Sequence, residues 1–157
     1  MTPTESIDNV DLDILRALQS DARLTVRQIA MRVHRSPTPV FERLRRLESQ
    51  GYIRRYVTVL DADKLGQGFV VFCQVKLRHI NRDIANDFMS RILAMPEVTE
   101  CYNVSGACDY LLKIYAPSMS EYRDFLLNKL GAIESLGSVE STFVMSEVKH
   151  NLSLIHI

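Results

Sequence analysis

The stretch LTVRQIAMRVHRSPTPVFERLRRLESQGYIRRY, residues 24–56, decides how this chain is read. Ser36 is a favoured helix N-cap, because its hydroxyl can accept from a free amide of the first turn. Pro37 follows at the first helical position, where a missing N–H costs nothing. Val40, Leu44 and Leu47 recur at i, i+4 and i+7 and give one inward stripe. Thr38, Glu42, Arg43, Arg45 and Arg46 are then free for other faces, and Gly51 closes the helix as a left-handed cap. A shorter helix starts near Thr25 and buries Val26, Ile29, Ala30 and Val33. Only His34 and Arg35 separate it from the Ser36 cap, the layout of a helix-turn-helix.

The pattern extends on both sides. Val10, Ile14, Leu15 and Leu18 form the apolar side of a preceding helix, with Asp8, Asp11 and Asp13 in or near its first turn, where negative charge is favoured. Tyr52–Leu60, YIRRYVTVL, has strand composition. Three helices and a β extension predict a winged helix-turn-helix over residues 1–56.

Charge separates this head from the rest. Residues 1–56 hold ten arginines, no lysine and seven acidic residues, a net +3; residues 57–157 hold nine basic and twelve acidic residues, a net −3. A near-zero total therefore hides a basic head on an acidic body. Arginine suits bidentate contact with phosphate or guanine. A charge run alone describes a solvated helix face. Joined to the cap, the turn spacing and the wing, it points to double-stranded DNA. Ser36, Thr38, Glu42, Arg43 and Arg46 are expected on the groove-facing side, with Arg43 and Arg46 on base edges. Arg35, Arg54 and Arg55 are expected on phosphates, which position without specifying. On this reading Arg43→Ala relaxes specificity, and Arg55→Ala weakens all sequences alike.

A polar, glycine-bearing segment at residues 61–68 breaks the periodicity, so 57–68 reads as strand and linker and 69–157 as a second domain. Phe69–Leu77 alternates as a half-buried strand. Asp83–Met95 is helical, Val98–Val104 and Asp109–Ala116 are strands, Ser120–Leu130 is helical and Val139–Lys149 is a last strand. The order βαββαβ is a ferredoxin-like sandwich, giving an α+β chain overall. Its helix-free face, expected to carry Phe143, Met145, Tyr110 and Leu112, needs cover, which predicts a homodimer at least. The tail 151–157, NLSLIHI, is apolar for a terminus and is expected to pack on a neighbouring subunit or extend the last strand.

No apolar run approaches the ~20 residues of a membrane span. The opening MTPTESIDNVD is polar and acidic, unlike a secretory signal. Cys73, Cys101 and Cys108 lack metal-ligand spacing and read as reduced cytoplasmic thiols. His34, His79, His150 and His156 are scattered, no glycine-rich phosphate loop follows a strand, and Ser105 lacks a nucleophile-elbow context. Cys108 beside Asp109 has no neighbouring histidine to activate it. Neither an enzyme, a metal site nor a cofactor is expected.

These segments resemble the Lrp/AsnC family, the leucine- and asparagine-responsive bacterial regulators. The likeness rests on DLDILRALQSDARLT, RSPTPVFERLRRLESQGYI, VSGACDYLLK and FVMSEVKH, and spans Ile7 to about Lys149. It implies a transcriptional regulator of amino-acid metabolism. It further implies a dimer built through the second domain, assembled into tetramers or octamers, and a nucleoid-associated protein with a free amino acid bound between subunits. By itself the loop Ser105, Gly106, Ala107, Cys108, Asp109 and Tyr110 is accounted for by an ordinary hairpin turn. With the resemblance it becomes the effector loop, its amides facing a carboxylate and Asp109 an ammonium. Ser141 and Thr142 match family positions that face the ligand. The chain departs from the leucine type at Ala107, where an acidic residue commonly follows the glycine, so effector identity stays open. The competing reading is an effector-independent architectural DNA binder whose second domain only oligomerises.

Overall fold

The computed structural model describes residues 7–155; His156 and most of the polar N-terminal stretch lie outside the described residues. Among the described residues, 7–59 together with 149–155 form one unit, and Leu60–Val148 the other.

The first unit holds α1 (Asn9–Ser20), α2 (Val26–Arg32) and α3 (Pro37–Ser49). Each of the first two starts with a reciprocal cap, which satisfies amides that a helix start leaves open. Asp8 accepts from the Asp11 amide at 2.8 Å while Asp11 accepts from the Asp8 amide at 3.2 Å. Thr25 and Gln28 repeat the arrangement on α2. The α2–α3 turn passes through His34 in the left-handed region, φ 52°, and the Arg35 amide returns to the Ala30 carbonyl at 2.9 Å. Ser36 occupies the N-cap position, yet its side chain makes no cap bond. Pro39 at the third helical position has no N–H to give, which removes one of the two amides such a cap can use. Gly51, φ 78°, ends α3 as expected. Ile14, Leu18, Ile29, Ala30, Val40 and Leu47 form the unit's core.

Two expectations for this unit need correction. Tyr52–Leu60 belongs to no ladder, and Tyr52 and Ile53 lie in a bend, since strand composition yields a strand only where a partner lies alongside. Of the two roles expected of the tail, extending the last strand is not seen, since β4 ends at Phe143 and residues 149–155 group with the helices. Leu152, Leu154 and Ile155 line a groove of about 540 Å³ with Leu15, Leu18, Tyr52 and Val57. Gln19 reaches the Leu152 carbonyl at 3.5 Å and accepts from Ser153 at 3.2 Å. Apolar tail residues thereby share a surface with the segment that follows α3.

The second unit runs β1 (Phe69–Leu77), α4 (Arg82–Leu93), β2 (Val98–Asn103), β3 (Tyr110–Ala116), α5 (Met119–Phe125) and β4 (Leu136–Phe143), with a π turn at Leu126–Leu130. The strands order β2-β3-β1-β4 and all pairs are antiparallel, the ferredoxin-like sandwich. Register assigns the faces, because successive side chains of a strand point opposite ways. Cys73 pairs with both Leu112 and Ser141, and Val75 with Tyr110 and Val139, so these residues share the helix-covered face. Val71, Cys73, Val75, Tyr110, Leu112 and Ile114 are buried there with Phe88, Tyr122 and Phe125. Tyr110 and Leu112 were expected on the open face and lie in this core instead. Phe143 is on the same side, its ring 5.7 Å from those of Phe69 and Tyr122. Met145 falls beyond the strand and is 96% exposed. The helix-free face carries Val70, Phe72, Gln74, Leu111, Lys113 and Tyr115 in their place.

β4 begins at Leu136, earlier than expected, with a register shift opposite Lys76 and Leu77. Gly137 sits at that irregularity. A Cβ there would meet the Lys76 carbonyl oxygen at 2.9 Å and the Arg78 nitrogen at 3.0 Å, both backbone atoms. Gly137→Ala is therefore expected to cost about 1–3 kcal/mol. A urea titration checks this; an unchanged midpoint would remove the steric account.

Candidate DNA-facing helix and effector loop

Helix α3 divides its arginines between two tasks. Asp11 is fully buried on the stripe of α1 that also carries Ile14 and Leu18. A buried carboxylate needs cationic partners. Arg43 supplies one at 2.9 Å and also holds Asp8 at 2.6 Å; Arg46 forms a second close ion pair with Asp11. The Asp11 amide and the Arg43 guanidinium hold the Asp8 carboxyl below its ordinary range, and Asp8 and Asp11 together raise Arg43. Arg43 and Arg46 thus fasten α3 to α1. Both are expected on base edges; here their side chains, each about a third exposed, pair within the unit.

The exposed side of α3 presents Thr38, Phe41, Glu42, Arg45 and Ser49. These recur at i, i+3, i+4, i+7 and i+11, a single helical face opposite Val40, Leu44 and Leu47. The Arg45 guanidinium lies 5.9 Å from the Phe41 ring centroid. Of the expected groove-facing residues, Thr38 and Glu42 are on this face and Ser36 is exposed at the helix start. Phe41 and Arg45 were missed as site residues. Angular position would have separated Arg43, which at 3.6 residues per turn lies only about 60° from Val40, on the edge of the core stripe. Arg35, Arg54 and Arg55 are exposed. Near the last two, the Tyr56 hydroxyl donates to Glu48 at 2.8 Å, and burial with that carboxylate pushes the phenol up to about 12.

The β2–β3 loop carries Ser105, Gly106, Ala107 and Cys108. Gly106 has φ 149°, a backbone region that side chains disfavour, and no atom lies within 4 Å of where a Cβ would be. Ser105, Gly106 and Ala107 are exposed and Cys108 is half-buried. Asp109 is committed to the fold. Its carboxylate accepts from the Leu77 amide at 2.8 Å, its own amide donates to the Val75 carbonyl at 2.9 Å, and its carbonyl accepts from Val104 and Asn103. The loop is thereby tied to the end of β1.

The remaining expected effector residues are not brought to one place in the subunit. Tyr110 is core, its ring 4.6 Å from that of Phe88. Ser141 faces the helices, its hydroxyl 2.5 Å from the Tyr122 hydroxyl, which also lies 2.9 Å from the Cys73 sulfur. Burial raises both the Cys73 thiol and the Tyr122 phenol. Thr142, one residue on, points to the opposite side of the sheet. Ser141 and Thr142 of one subunit therefore present their side chains to opposite faces of the sheet.

Comparison with known proteins fits both halves. A winged helix-turn-helix DNA-binding model matches residues 7–54, and the Lrp/AsnC ligand binding domain model matches residues 70–154. The leucine-responsive regulatory proteins of Klebsiella pneumoniae and Escherichia coli K12 are each 37% identical over 153 residues, 98% of this chain and 93% of theirs. A transcriptional regulator from Neisseria meningitidis, solved as an L-Met complex, aligns with a TM-score of 0.92 at 33% identity, covering 96% of this chain and 97% of that one. An AsnC family regulator from Agrobacterium tumefaciens aligns at 0.90 and 34% identity, covering 95% and 97%. A DNA-binding helix-turn-helix joined to a ligand-binding sandwich defines a transcriptional regulator. The chain belongs to the Lrp/AsnC family.

Proposed function

We propose that this regulator recognises specific double-stranded DNA sites through α3, acts as a homo-oligomer, and answers to a free amino acid that signals the state of amino-acid metabolism. The observation that carries the DNA part is the uncovered outer face of α3, flanked by exposed Arg35, Arg54 and Arg55. Ser36, which makes no side-chain cap bond, adds a hydroxyl for a phosphate. Thr38 and Glu42 face the bases. The oligomer is supported by the helix-free sheet face, where Val70, Phe72, Leu111 and Tyr115 surround a Lys113 that is only 8% exposed. Dimers would then join as tetramers or octamers, working in the cytoplasm on nucleoid DNA.

Support for the effector comes from the ligand-binding family model and from the Neisseria regulator's L-Met complex. Ser105, Gly106, Ala107 and Cys108 would contact it, with Asp109 and Tyr110 behind them, and Ser141 and Thr142 would contribute at most one side chain per subunit. A second reading has its own observation. Ala107 offers no carboxylate, and Asp109 already accepts from Leu77, so an effector-independent architectural protein is also supported.

A thermal-shift series over the twenty amino acids at millimolar concentration separates them, because a ligand of the folded state must raise the apparent midpoint by mass action. Methionine or a branched-chain residue is expected to raise it. Asp109→Asn, which keeps an acceptor for Leu77, is then expected to reduce that shift with a small change in the ligand-free midpoint. Asp109→Ala should also cost about 1–3 kcal/mol by leaving the Leu77 amide unmatched. No shift with any amino acid would favour the architectural reading.

A further inference from the structure

Phe41 is 45% exposed, and it is absent from the helical unit's core and from the apolar side chains packed against that core. An aromatic ring nearly half exposed on a surface of threonine, glutamate and arginine is not accounted for by the core. What it does do is support Arg45, whose guanidinium lies 5.9 Å from the ring centroid, one helical turn on. Arginine loses much rotamer freedom when it binds, and a guanidinium already resting on a ring has less to lose. Glu42 lies beside Arg45 on the same face. A carboxylate on a surface meant only for phosphates would repel them, so this face suits base edges. There the apolar group is the thymine methyl, and the bidentate acceptor for arginine is guanine O6 with N7.

Building on the DNA-binding reading above, we infer that Phe41 and Arg45 are a base-reading pair, Phe41 packing on a thymine methyl and the guanidinium it supports reading a neighbouring guanine. Four residues of helix rise about 6 Å, and base pairs step about 3.4 Å. The thymine and guanine therefore fall within about two steps of each other in each half-site. Glu42 accepts from the amino group of a cytosine or adenine beside them and disfavours other bases at that position.

Selection of duplexes from a random pool by the full-length protein, followed by binding titrations, tests this. The wild type should enrich half-sites holding a T and a G at that spacing. Replacing the thymine by deoxyuracil removes only the methyl and should weaken wild-type binding about three- to five-fold. Phe41→Ala should bind the thymine and uracil duplexes equally. Arg45→Ala, and also Arg45→Lys, which keeps the charge, should lose the guanine preference of about 10- to 100-fold. Both residues are exposed, and unchanged circular dichroism will show that the variants fold. Enriched sites whose uracil penalty survives Phe41→Ala and whose guanine preference survives Arg45→Ala would overturn the pair while leaving DNA binding intact. Salt-insensitive failure to retain any duplex would instead overturn the DNA-binding reading itself, and the pair with it.

Discussion

Asp11→Ala is expected to cost about 3 kcal/mol of stability, the scale for breaking a buried ion pair by removing one member. Asp11 is fully buried, accepts from the Asp8 amide, and draws both Arg43 and Arg46 across from α3. Its removal takes away one arm of the α1 capping box and the anion that fixes the α1–α3 packing. The two arginines keep partial access to water, which holds the loss below the upper end of the range. Asp11→Asn, with an acceptor but no charge, should lose less. Thermal melts of the three proteins give the order, and an Asp11→Ala midpoint equal to wild type would sink the assignment. Arg43→Ala should behave as a stability variant too, weakening every DNA sequence by the same factor. Arg45→Ala should change sequence preference with little change in the midpoint. The acid limb offers an independent check. Asp8 has a folded value held below its unfolded one, so its contribution is present above about pH 4 and is lost as pH falls through the folded value. Asp8→Asn should flatten that limb.

The helical head was legible because its rules are local. Caps, stripe spacing and a two-residue turn need no knowledge of the rest of the chain. The division of the α3 arginines was only partly legible. Asp11 falls in register with Ile14 and Leu18, and a carboxylate on an apolar stripe demands a cation from elsewhere. The helical angle of Arg43 names it as one donor. Arg46, about 120° from Val40 by the same geometry, could have faced either way, and only contact with a residue 35 positions earlier decides it. The sheet shows the converse. Element order read correctly because alternation and helix periods are local. Assigning faces needs a register, and register is a relation between strands: Tyr110 and Leu112 follow the phase of Cys73 and Val75, which nothing within DYLLKIYA reveals. Tyr52–Leu60 failed for the same reason, since β composition cannot say whether a partner strand is present. Pro39 is in plain view, and its missing N–H removes one of the two amides the Ser36 hydroxyl could cap.

Tyr122→Ala is expected to cost about 3–5 kcal/mol, the range for deleting a buried aromatic side chain. Tyr122 is 2% exposed and its ring meets those of Phe69, Phe125 and Phe143, which joins α5 to both β1 and β4. Its hydroxyl adds a polar anchor, with Ser141 at 2.5 Å and Cys73 at 2.9 Å. Tyr122→Phe keeps the ring and removes the hydroxyl, so a smaller loss of about 1 kcal/mol follows. The informative measurement is a double-mutant cycle of Tyr122→Phe with Ser141→Ala in urea. If Ser141 serves the fold through Tyr122, the two losses are not additive, and a coupling of about 1 kcal/mol appears. If Ser141 instead serves an effector, the losses add, and Ser141→Ala alone lowers the amino-acid-induced thermal shift. The 2.5 Å contact favours coupling. Resemblance had placed Ser141 at a ligand, whereas the register of β4 turns it toward the helices. Only one residue of the Ser141–Thr142 pair can look outward, so Thr142 is the one whose replacement by valine should blunt the effector response.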